Sequence, residues 1–294
     1  MRTALSQLSL AQPRSVDHAL RLLRDAGGRS RLVPIAGGTD LFVYLQAGSL
    51  QAKDFLDLSG LDELRRIRAT RSGISIGALA TFAEIGRHPG VRRLFPSLVA
   101  AAGVVGAITI QNRATLGGNI VNASPAGDSL PVLLAHDAVV RVRGAAGERT
   151  IPHAELHTGY RTLAMAPDEL VIAIELPAPP AGAKHFFRKI GTRAAQSISK
   201  VVLAGVLHVR RGAVDHARMA WGSVAPTPLR SRRAEDVVLG KAPSLAVAVA
   251  SAAALGTDIA PIDDIRSDRE YRLAVARNVL AQFLRTAHAS FARD

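Results

Sequence analysis

The stretch Gln111–Ala138, QNRATLGGNIVNASPAGDSLPVLLAHDA, carries the most information about the fold of this 294-residue chain. Residues 109–131, which overlap it, hold three Gly, two Pro and three Asn, a composition that favours turns over a helix or a buried strand. We therefore predict a segment rich in loops. A loop of this length inside a compact domain is usually functional, because its backbone N–H and C=O groups need partners.

The pair Gly117-Gly118 in this stretch has a counterpart at Gly37-Gly38, within VPIAGGTDL (Val33–Leu41). The apolar run 32–36 predicts a short strand before the earlier pair, and residues 41–48 predict a helix after it. Because paired glycines lack Cβ atoms, successive N–H groups can converge on an anion. The two pairs together predict two nests for the two phosphates of one pyrophosphate. Each pair alone is also explained by the steric needs of a strand–turn–helix junction, and neither fits a GxGxxG or GxxxxGK[ST] motif.

The composition bounds the class of protein. Hydrophobic residues make up 48% and charged residues 21% of the chain, which is typical of a globular protein of about two domains. The chain has no cysteine, which excludes a disulfide framework, a thiolate metal site and an iron–sulfur cluster bound by this chain alone. The N-terminus is a poor signal peptide, and the longest apolar runs (98–108 and 245–255) fall short of the roughly 20 residues of a membrane span. We therefore expect a cytoplasmic protein without a membrane span.

The net charge is +13, and its distribution leaves more than one interpretation open. Residues 179–294 hold 18 basic and 9 acidic side chains, a net charge of +9, scattered over the segment. Only five of the 37 basic residues are lysines, so a composition bias towards arginine is the simplest explanation. A binding surface for an acidic protein and a nucleic-acid-binding surface are the alternatives.

The rest of the chain predicts an α+β architecture in two parts. Ser15 suits the N-cap of a helix that Gly27-Gly28 end. PAPPAG (Pro177–Gly182) has three prolines in four residues, which is typical of a stiff connector. Before the connector we predict helices at 82–87 and 91–108 and strands at 54–58, 72–77, 138–142 and 169–176. After it we predict three antiparallel strands (186–190, 200–210, 214–222) and three helices (232–239, 246–254, 269–289).

Five blocks resemble one protein family, in order and over nearly the whole chain. They are AGGTDL (36–41), the stretch 111–138, GYRTLAMAPDELVIAIELP (159–177), FFRKIGTRAAQSISKV (186–201) and GSVAPTPLRSRRAEDVVLG (222–240). The family is the FAD-binding medium subunit of molybdenum hydroxylases, such as the carbon monoxide and xanthine dehydrogenases. The resemblance implies a two-lobed FAD-binding domain of the vanillyl-alcohol oxidase-like type over 1–178, with lobes of about 1–58 and 59–178. It implies a small C-terminal domain over 179–294.

The resemblance also implies a function. The chain would hold FAD noncovalently and would take electrons from [2Fe-2S] clusters on a small iron–sulfur subunit. A large subunit would carry the molybdenum–pterin centre, and the complex would be a dimer of heterotrimers. The electrons would pass to NAD, a quinone or oxygen, in an oxidoreductase of the xanthine dehydrogenase or carbon monoxide dehydrogenase type.

The family pattern implies roles for sixteen residues of this chain. Asp128 would lie against the sugar-like part of FAD, Leu170 would line the flavin, and Lys189 would lie near the isoalloxazine as the catalytic residue. Asp128 could instead be a turn residue, Leu170 a core residue and Lys189 a solvated strand residue. The loops that contact the pyrophosphate would be formed by Ala36, Gly37, Gly38, Thr39, Asp40, Thr115, Leu116, Gly117, Gly118 and Asn119. Val33, Pro34 and Ile35 would also bind the cofactor.

Other interpretations stay open at this point. His153 and His157 have the i, i+4 spacing of a metal pair, but Pro152 predicts that they lie in a loop, and we expect no metal site there. A stand-alone FAD oxidoreductase of the same fold would share most of the family pattern. An Arg-rich nucleic-acid-binding protein would share only the charge.

Overall fold

The computed structural model describes residues 7–193 and 196–292, so Ala194 and Ala195 of the block 186–201 lie outside the described residues. Its helices, in chain order, are α1 (Val16–Asp25), α2 (Leu41–Gln46), α3 (Phe82–Arg87), α4 (Pro89–Leu94), α5 (Pro96–Ala102), α6 (Ile108–Gln111), α7 (Leu116–Asn122), α8 (Leu130–Ala135), α9 (His153–Leu156), α10 (Arg232–Val238), α11 (Leu245–Leu255) and α12 (Arg269–Ala287). Its strands are β1 (Ser9–Ala11), β2 (Val33–Ile35), β3 (Asp54–Asp57), β4 (Ile67–Ala69), β5 (Gly73–Gly77), β6 (Val139–Gly144), β7 (Gly147–Pro152), β8 (His157–Gly159), β9 (Thr162–Leu163), β10 (Leu170–Pro177), β11 (Lys184–Ile190), β12 (Val201–Arg210), β13 (Ala213–Gly222) and β14 (Leu229–Arg230).

The first sheet is parallel, with β3 between β1 and β2. Helix α1 connects β1 to β2. It begins where the Ser15 side chain accepts a hydrogen bond from the backbone N–H of His18, as the sequence predicts. It ends just before Gly27 and Gly28, which both have positive φ. The apolar side of α1 packs on this sheet in a small core of its own.

The second sheet is antiparallel, in the order β4-β5-β10-β6-β7. Helices α3, α5 and α8 contribute to the core beside it, which is the largest hydrophobic cluster. Strand β10 lies at the centre of the sheet and ends at Pro177, where the predicted connector starts. The connector thus follows the central strand of this sheet and leads to β11.

The third sheet is antiparallel, in the order β11-β12-β13-β14. Strand β12 is buried on both faces: Val206 packs into the core that contains α8, while Leu203 packs into the core that contains α12. Burial of both faces explains why β12 is a continuous apolar run. A Cβ at Gly205 would lie 2.6 Å from the Phe283 ring, so α12 packs directly on this strand.

The α+β class is confirmed, but the prediction of loops over residues 109–131 was wrong in part. Residues 112–115 and 123–129 are not helical, whereas the rest belong to the short helices α6 and α7 and to the start of α8. Helices of four to seven residues are too short to show an apolar period, and Gly and Asn within them weigh towards a loop. Packing against the second core stabilises α7, since Leu116 and Ile120 are fully buried.

Other predicted elements differ in detail. Residues 91–108 do not form one helix, because α4 ends at Leu94, Pro96 begins α5, and α5 ends at Ala102. Proline suits the first position of a helix, where no N–H partner is needed. A fourth, two-residue strand (β14) joins the predicted three, and α12 ends at Ala287. The helix over 82–87 is confirmed with the predicted bounds. Over residues 7–193 and 196–292, no helix is long and apolar enough to cross a membrane.

Candidate functional site

One large cavity, of about 1430 Å³, lies where the three sheets approach one another. All sixteen residues that the sequence singled out line it, except Ile35 and Leu116. Leu116 is fully buried in the core instead. Ile35 ends β2, and its Cδ1 atom packs against Gly38. The cavity therefore brings together residues that lie more than 150 positions apart in the sequence.

The loop from Ala36 to Asp40 forms one wall of the cavity. A Cβ at Gly37 would lie 2.1 Å from the carbonyl oxygen of Arg113, so this loop contacts the 111–138 stretch directly. Gly38 has φ +71°, a conformation that only glycine adopts easily. Within the described part of the chain, the backbone N–H groups of residues 37–40 donate no hydrogen bond to protein atoms. They are therefore available for an anion in the cavity.

The second glycine pair works differently, and the prediction of a second nest was wrong. The N–H of Gly117 donates to the carbonyl of Ala78 (2.9 Å), and the N–H of Gly118 donates to the Thr115 hydroxyl (3.1 Å). Thr115 is the N-cap of α7, and its hydroxyl accepts the hydrogen bond from Gly118 only. A Cβ at Gly117 would lie 2.7 Å from the Ala78 oxygen, so glycine is needed here for close packing. That the residues from Thr115 to Asn119 contact FAD stays a prediction.

Asp128 and Lys189 form a buried ion pair at the cavity wall. The Lys189 Nζ lies 2.6 Å from Asp128 Oδ2, and each side chain is 8% exposed. The Ser199 hydroxyl donates to the other carboxylate oxygen (2.6 Å), and Lys189 also donates to the carbonyl of Val104 (3.2 Å). Burial raises the pKa of the Asp128 carboxyl, whereas Lys189 and Ser199 act to lower it. The pair joins β11 to the 111–138 stretch, so Lys189 is not a solvated strand residue.

Leu170 fits both of the interpretations that the sequence allowed. It is 4% exposed and belongs to the core of the first sheet, yet it also lines the cavity. Its neighbour Glu169 is held by Arg149, with a 2.7 Å contact from Nε, and the Arg149 hydrogen bond lowers the Glu169 pKa. Arg29 donates to the carbonyl of Glu169 at 2.8 Å. The segment before β10 is therefore fixed by two arginines.

The structure adds two groups of cavity residues that the sequence did not single out. At one edge, Arg161 contacts Tyr44 and Tyr160. Arg161 and Tyr160 belong to the block 159–177, in which the family pattern gave a role only to Leu170. At the other, Arg272 of α12 pairs with Asp264 (2.6 Å). Burial alone would raise the Asp264 pKa, but hydrogen bonds from the Arg266 backbone and from Arg272 lower it to about 2. Nothing local in the sequence marks Arg272, because two of its partners, the carbonyls of Lys200 and Ser223, come from distant segments.

His153 and His157 lie in α9 and β8, not in a loop as predicted. Their rings pack edge to face with centroids 5.1 Å apart. Each ring nitrogen Nε2 lies 3.2 Å from a backbone carbonyl, of Leu130 and Ile120 respectively. Burial lowers the pKa of His153 to about 3. The contacts are those of packed side chains within the core beside α8.

Two families match the chain in succession. The one described as the FAD binding domain in molybdopterin dehydrogenase matches residues 6–179. The one described as the CO dehydrogenase flavoprotein C-terminal domain matches residues 186–287. The chain belongs to the FAD-binding subunits of molybdenum hydroxylases.

This FAD-binding subunit is 30% identical to the xanthine dehydrogenase FAD-binding subunit of Escherichia coli over 260 residues, which cover 87% of this chain and 88% of the relative. It is 29% identical to the carbon monoxide dehydrogenase medium chain of Hydrogenophaga pseudoflava over 277 residues, which cover 94% and 96%. A solved structure of carbon monoxide dehydrogenase from that organism, at 29% identity, matches with a TM-score of 0.92 over 97% of this chain and 98% of the other. These relatives are subunits of oxidoreductases.

The residues of the FAD-binding subunit fit FAD. A cavity of about 1430 Å³ exceeds the roughly 300–1,000 Å³ of common ligand sites and leaves room for a dinucleotide. The unpaired N–H groups of residues 37–40 suit the negative charge of a pyrophosphate. The Arg113 backbone occupies the space where a Cβ of residue 37 would lie, so only glycine allows the two loops to pack this closely.

Proposed function

We propose that this FAD-binding subunit is the electron relay of a molybdenum hydroxylase complex. It takes electrons from [2Fe-2S] clusters of a small partner subunit and passes them to an external acceptor, which is NAD, a quinone or oxygen. Bound FAD supplies the required chemistry, since it takes up electrons singly and releases them as a pair. The complex, a cytoplasmic dimer of heterotrimers, also contains a large subunit with the molybdenum–pterin centre.

The observation that carries the proposal is the open row of N–H groups at residues 37–40 in the wall of the cavity. In this proposal they bind the pyrophosphate of FAD, together with Ala36 before them, and Val33 and Pro34 contact the cofactor elsewhere. Thr115, Gly117, Gly118 and Asn119 also line the cavity, and in this proposal they contact FAD as well. FAD is held without a covalent bond in this proposal, since the chain has no cysteine and no motif that supports a histidine link.

Lys189 has the role of tuning the flavin in this proposal. Its ammonium group is fixed between Asp128, Val104 and the cavity. A fixed cation beside the ring favours the electron-rich form of the bound flavin and so raises its reduction potential. Asp128 holds the ammonium in place, and Ser199 in turn holds Asp128.

The chain itself limits the steps that it performs. Having no cysteine, it cannot bind iron–sulfur clusters by itself, so the clusters of the proposed relay belong to another chain. The substrate of the complex is read by the large subunit, not by this cavity. The net charge of +9 over residues 179–294 suits contact with acidic surfaces of the partner subunits.

Reduction assays on the purified chain test the relay. The FAD-loaded chain alone should not be reduced by the organic substrates of related dehydrogenases, and adding the two partner subunits should permit reduction. Reduction by such a substrate without partners would support a stand-alone oxidoreductase instead. A colourless preparation that binds DNA or RNA in a salt-sensitive way would support the nucleic-acid interpretation.

A further inference from the structure

The hairpin of β8 and β9 places two side chains at the edge of the cavity. Gly159 pairs with Thr162, so Tyr160 and Arg161 form the tip, and both line the cavity. The guanidinium carbon of Arg161 lies 5.1 Å from the centroid of the Tyr44 ring and 5.8 Å from that of the Tyr160 ring. Contacts of this kind orient an arginine side chain while leaving its N–H groups free.

Arg161 is also anchored by hydrogen bonds. Its Nη1 donates to the Tyr44 hydroxyl (2.8 Å), which donates to the side-chain oxygen of Asn122 (3.0 Å). Tyr44 lies on α2, one turn after Asp40. The guanidinium is therefore held near the loop whose N–H groups are unpaired.

Among the described residues, no carboxylate forms an ion pair with Arg161. The other cavity-lining cations differ: Lys189 pairs with Asp128, while Arg266 and Arg272 share Asp264. Arg29 donates to two backbone carbonyls and lies near Glu169. Burial raises the pKa of Asp40, and Arg161 lowers it from a distance without pairing with it. Arg161 is thus the cavity cation best able to take an anionic group of a ligand.

We propose that Arg161, positioned by Tyr44 and Tyr160, binds the pyrophosphate of a dinucleotide at the mouth of the cavity. A guanidinium presents two parallel N–H donors, which match a pair of phosphate oxygens. The dinucleotide is either the FAD that the subunit holds or a second dinucleotide that receives its electrons. The inference rests on the proposed function, because both sources assume a flavin in the cavity.

The test compares Arg161→Gln with a matched control. Arg211 lies at the tip of the β12–β13 hairpin with φ +53°, against +54° for Arg161, and does not line the cavity. Arg211→Gln therefore removes the same charge from the same backbone conformation elsewhere. FAD and riboflavin, which lacks phosphate, are titrated into the deflavinated full chain, and NADH is titrated into the FAD-loaded chain. Circular dichroism and the thermal midpoint confirm that each variant is folded.

We expect Arg161→Gln to weaken binding of FAD or of NADH by roughly tenfold at low ionic strength, in line with the loss of a charged hydrogen bond. Added salt should shrink the difference, because Arg161 is exposed. Riboflavin binding should stay within about twofold, since it has no phosphate to lose. Tyr44→Phe should reduce the same affinity by less. A loss confined to FAD identifies the resident cofactor as the ligand, and a loss confined to NADH identifies the acceptor.

Equal FAD and NADH affinities of Arg161→Gln and wild type would overturn the inference while leaving the proposed function intact. An equal loss in Arg211→Gln would overturn it too, because the effect would then come from overall charge. Wild-type chain that binds no FAD would instead refute the proposed function itself.

Discussion

Lys189 and Asp128 are buried, so water cannot solvate either charge when its partner is removed. Both side chains are 8% exposed, and the pair joins two segments 61 residues apart. Removing one partner of a buried ion pair leaves an uncompensated charge, which typically costs about 3–5 kcal/mol. A stability effect and an effect on the flavin must therefore be separated in any substitution of Lys189.

A pair of variants makes that separation. Lys189→Met should lower the free energy of unfolding by about 3–5 kcal/mol, and Lys189→Met/Asp128→Asn should recover part of this loss, because no buried carboxylate then lacks a partner. Both variants should retain FAD and show a lower reduction potential of the bound flavin. Urea denaturation and spectroelectrochemical titration measure the two effects. If the double variant kept the wild-type potential, Lys189 would have a structural role only.

Single residues also show which contacts can be predicted from the sequence. Ser15 could be predicted as a cap because an N-cap bonds only to a residue three positions away. The Asp128–Lys189 contact could not be derived from local pattern, since it depends on how β11 packs against a distant stretch. Arg272 was missed for the same reason: it bonds to the carbonyls of Ser223 and Lys200, far from it in sequence.

At the scale of elements, the loop 36–40 tests the proposed pyrophosphate site. Gly37→Ala would bring a Cβ to 2.1 Å from the Arg113 carbonyl, so the two loops must separate. We expect FAD affinity to fall by at least tenfold, because the row of N–H groups is displaced, for which roughly 1.4 kcal/mol suffices. Fluorescence titration with FAD measures the change.

Gly86→Ala is the control for that prediction. Gly86 lies inside α3, and a Cβ there meets nothing within 4 Å. The substitution should leave FAD affinity unchanged and raise stability by up to about 1 kcal/mol, because alanine favours a helix. FAD affinity that survives in Gly37→Ala would show that this loop does not bind the cofactor.

A buried histidine, where α8 contacts the third sheet, predicts that the stability of the protein depends on pH. His136, at the end of α8, hydrogen bonds to Ser97 and stacks on His185 of β11. Burial, with smaller effects of the His185 and His216 charges, lowers its pKa to about 3. A histidine in the unfolded chain has a pKa of about 6.5, so between about pH 3 and 6.5 the unfolded chain binds more protons than the folded one.

The contribution of neutral His136 to the free energy of unfolding should therefore be complete above about pH 6.5. It should fall as the pH is lowered towards 3, by roughly 1.4 kcal/mol per pH unit for each such histidine. His153, whose pKa is also lowered to about 3, adds to the slope. His136→Asn, which cannot titrate, should lose less stability on acidification. Urea unfolding at about pH 7 and 5 measures this, and a His136→Asn slope equal to that of wild type would exclude His136 as a cause.

Elements differ in how well their local sequence predicts them. Helix α3 was predicted with its observed bounds, and Thr81 and Glu84 cap it within four residues. Helix α7 was missed because its glycines disfavour a helix locally, and only contact with Ala78 makes Gly117 the suitable residue. Strand β12 was predicted because burial on both faces leaves a plain apolar run.

At the scale of the whole molecule, three parts of the fold line one cavity. The first sheet provides the loop 36–40, the second carries Leu170, and the third carries Lys189 on β11. The domain boundary at about 178 stays a prediction, and it falls in the connector between β10 and β11. Because cavity residues come from both sides of that connector, FAD should raise the thermal midpoint of the full chain by linkage.

The identity and stoichiometry of the bound flavin test the central claim most directly. The full chain should be purified without added cofactor, denatured, and its supernatant analysed by chromatography and visible absorption. We expect one FAD for each chain, released completely on denaturation because no covalent bond holds it. A preparation that contains no flavin and takes up none from added FAD, or a flavin that stays attached to the denatured chain, would contradict the account.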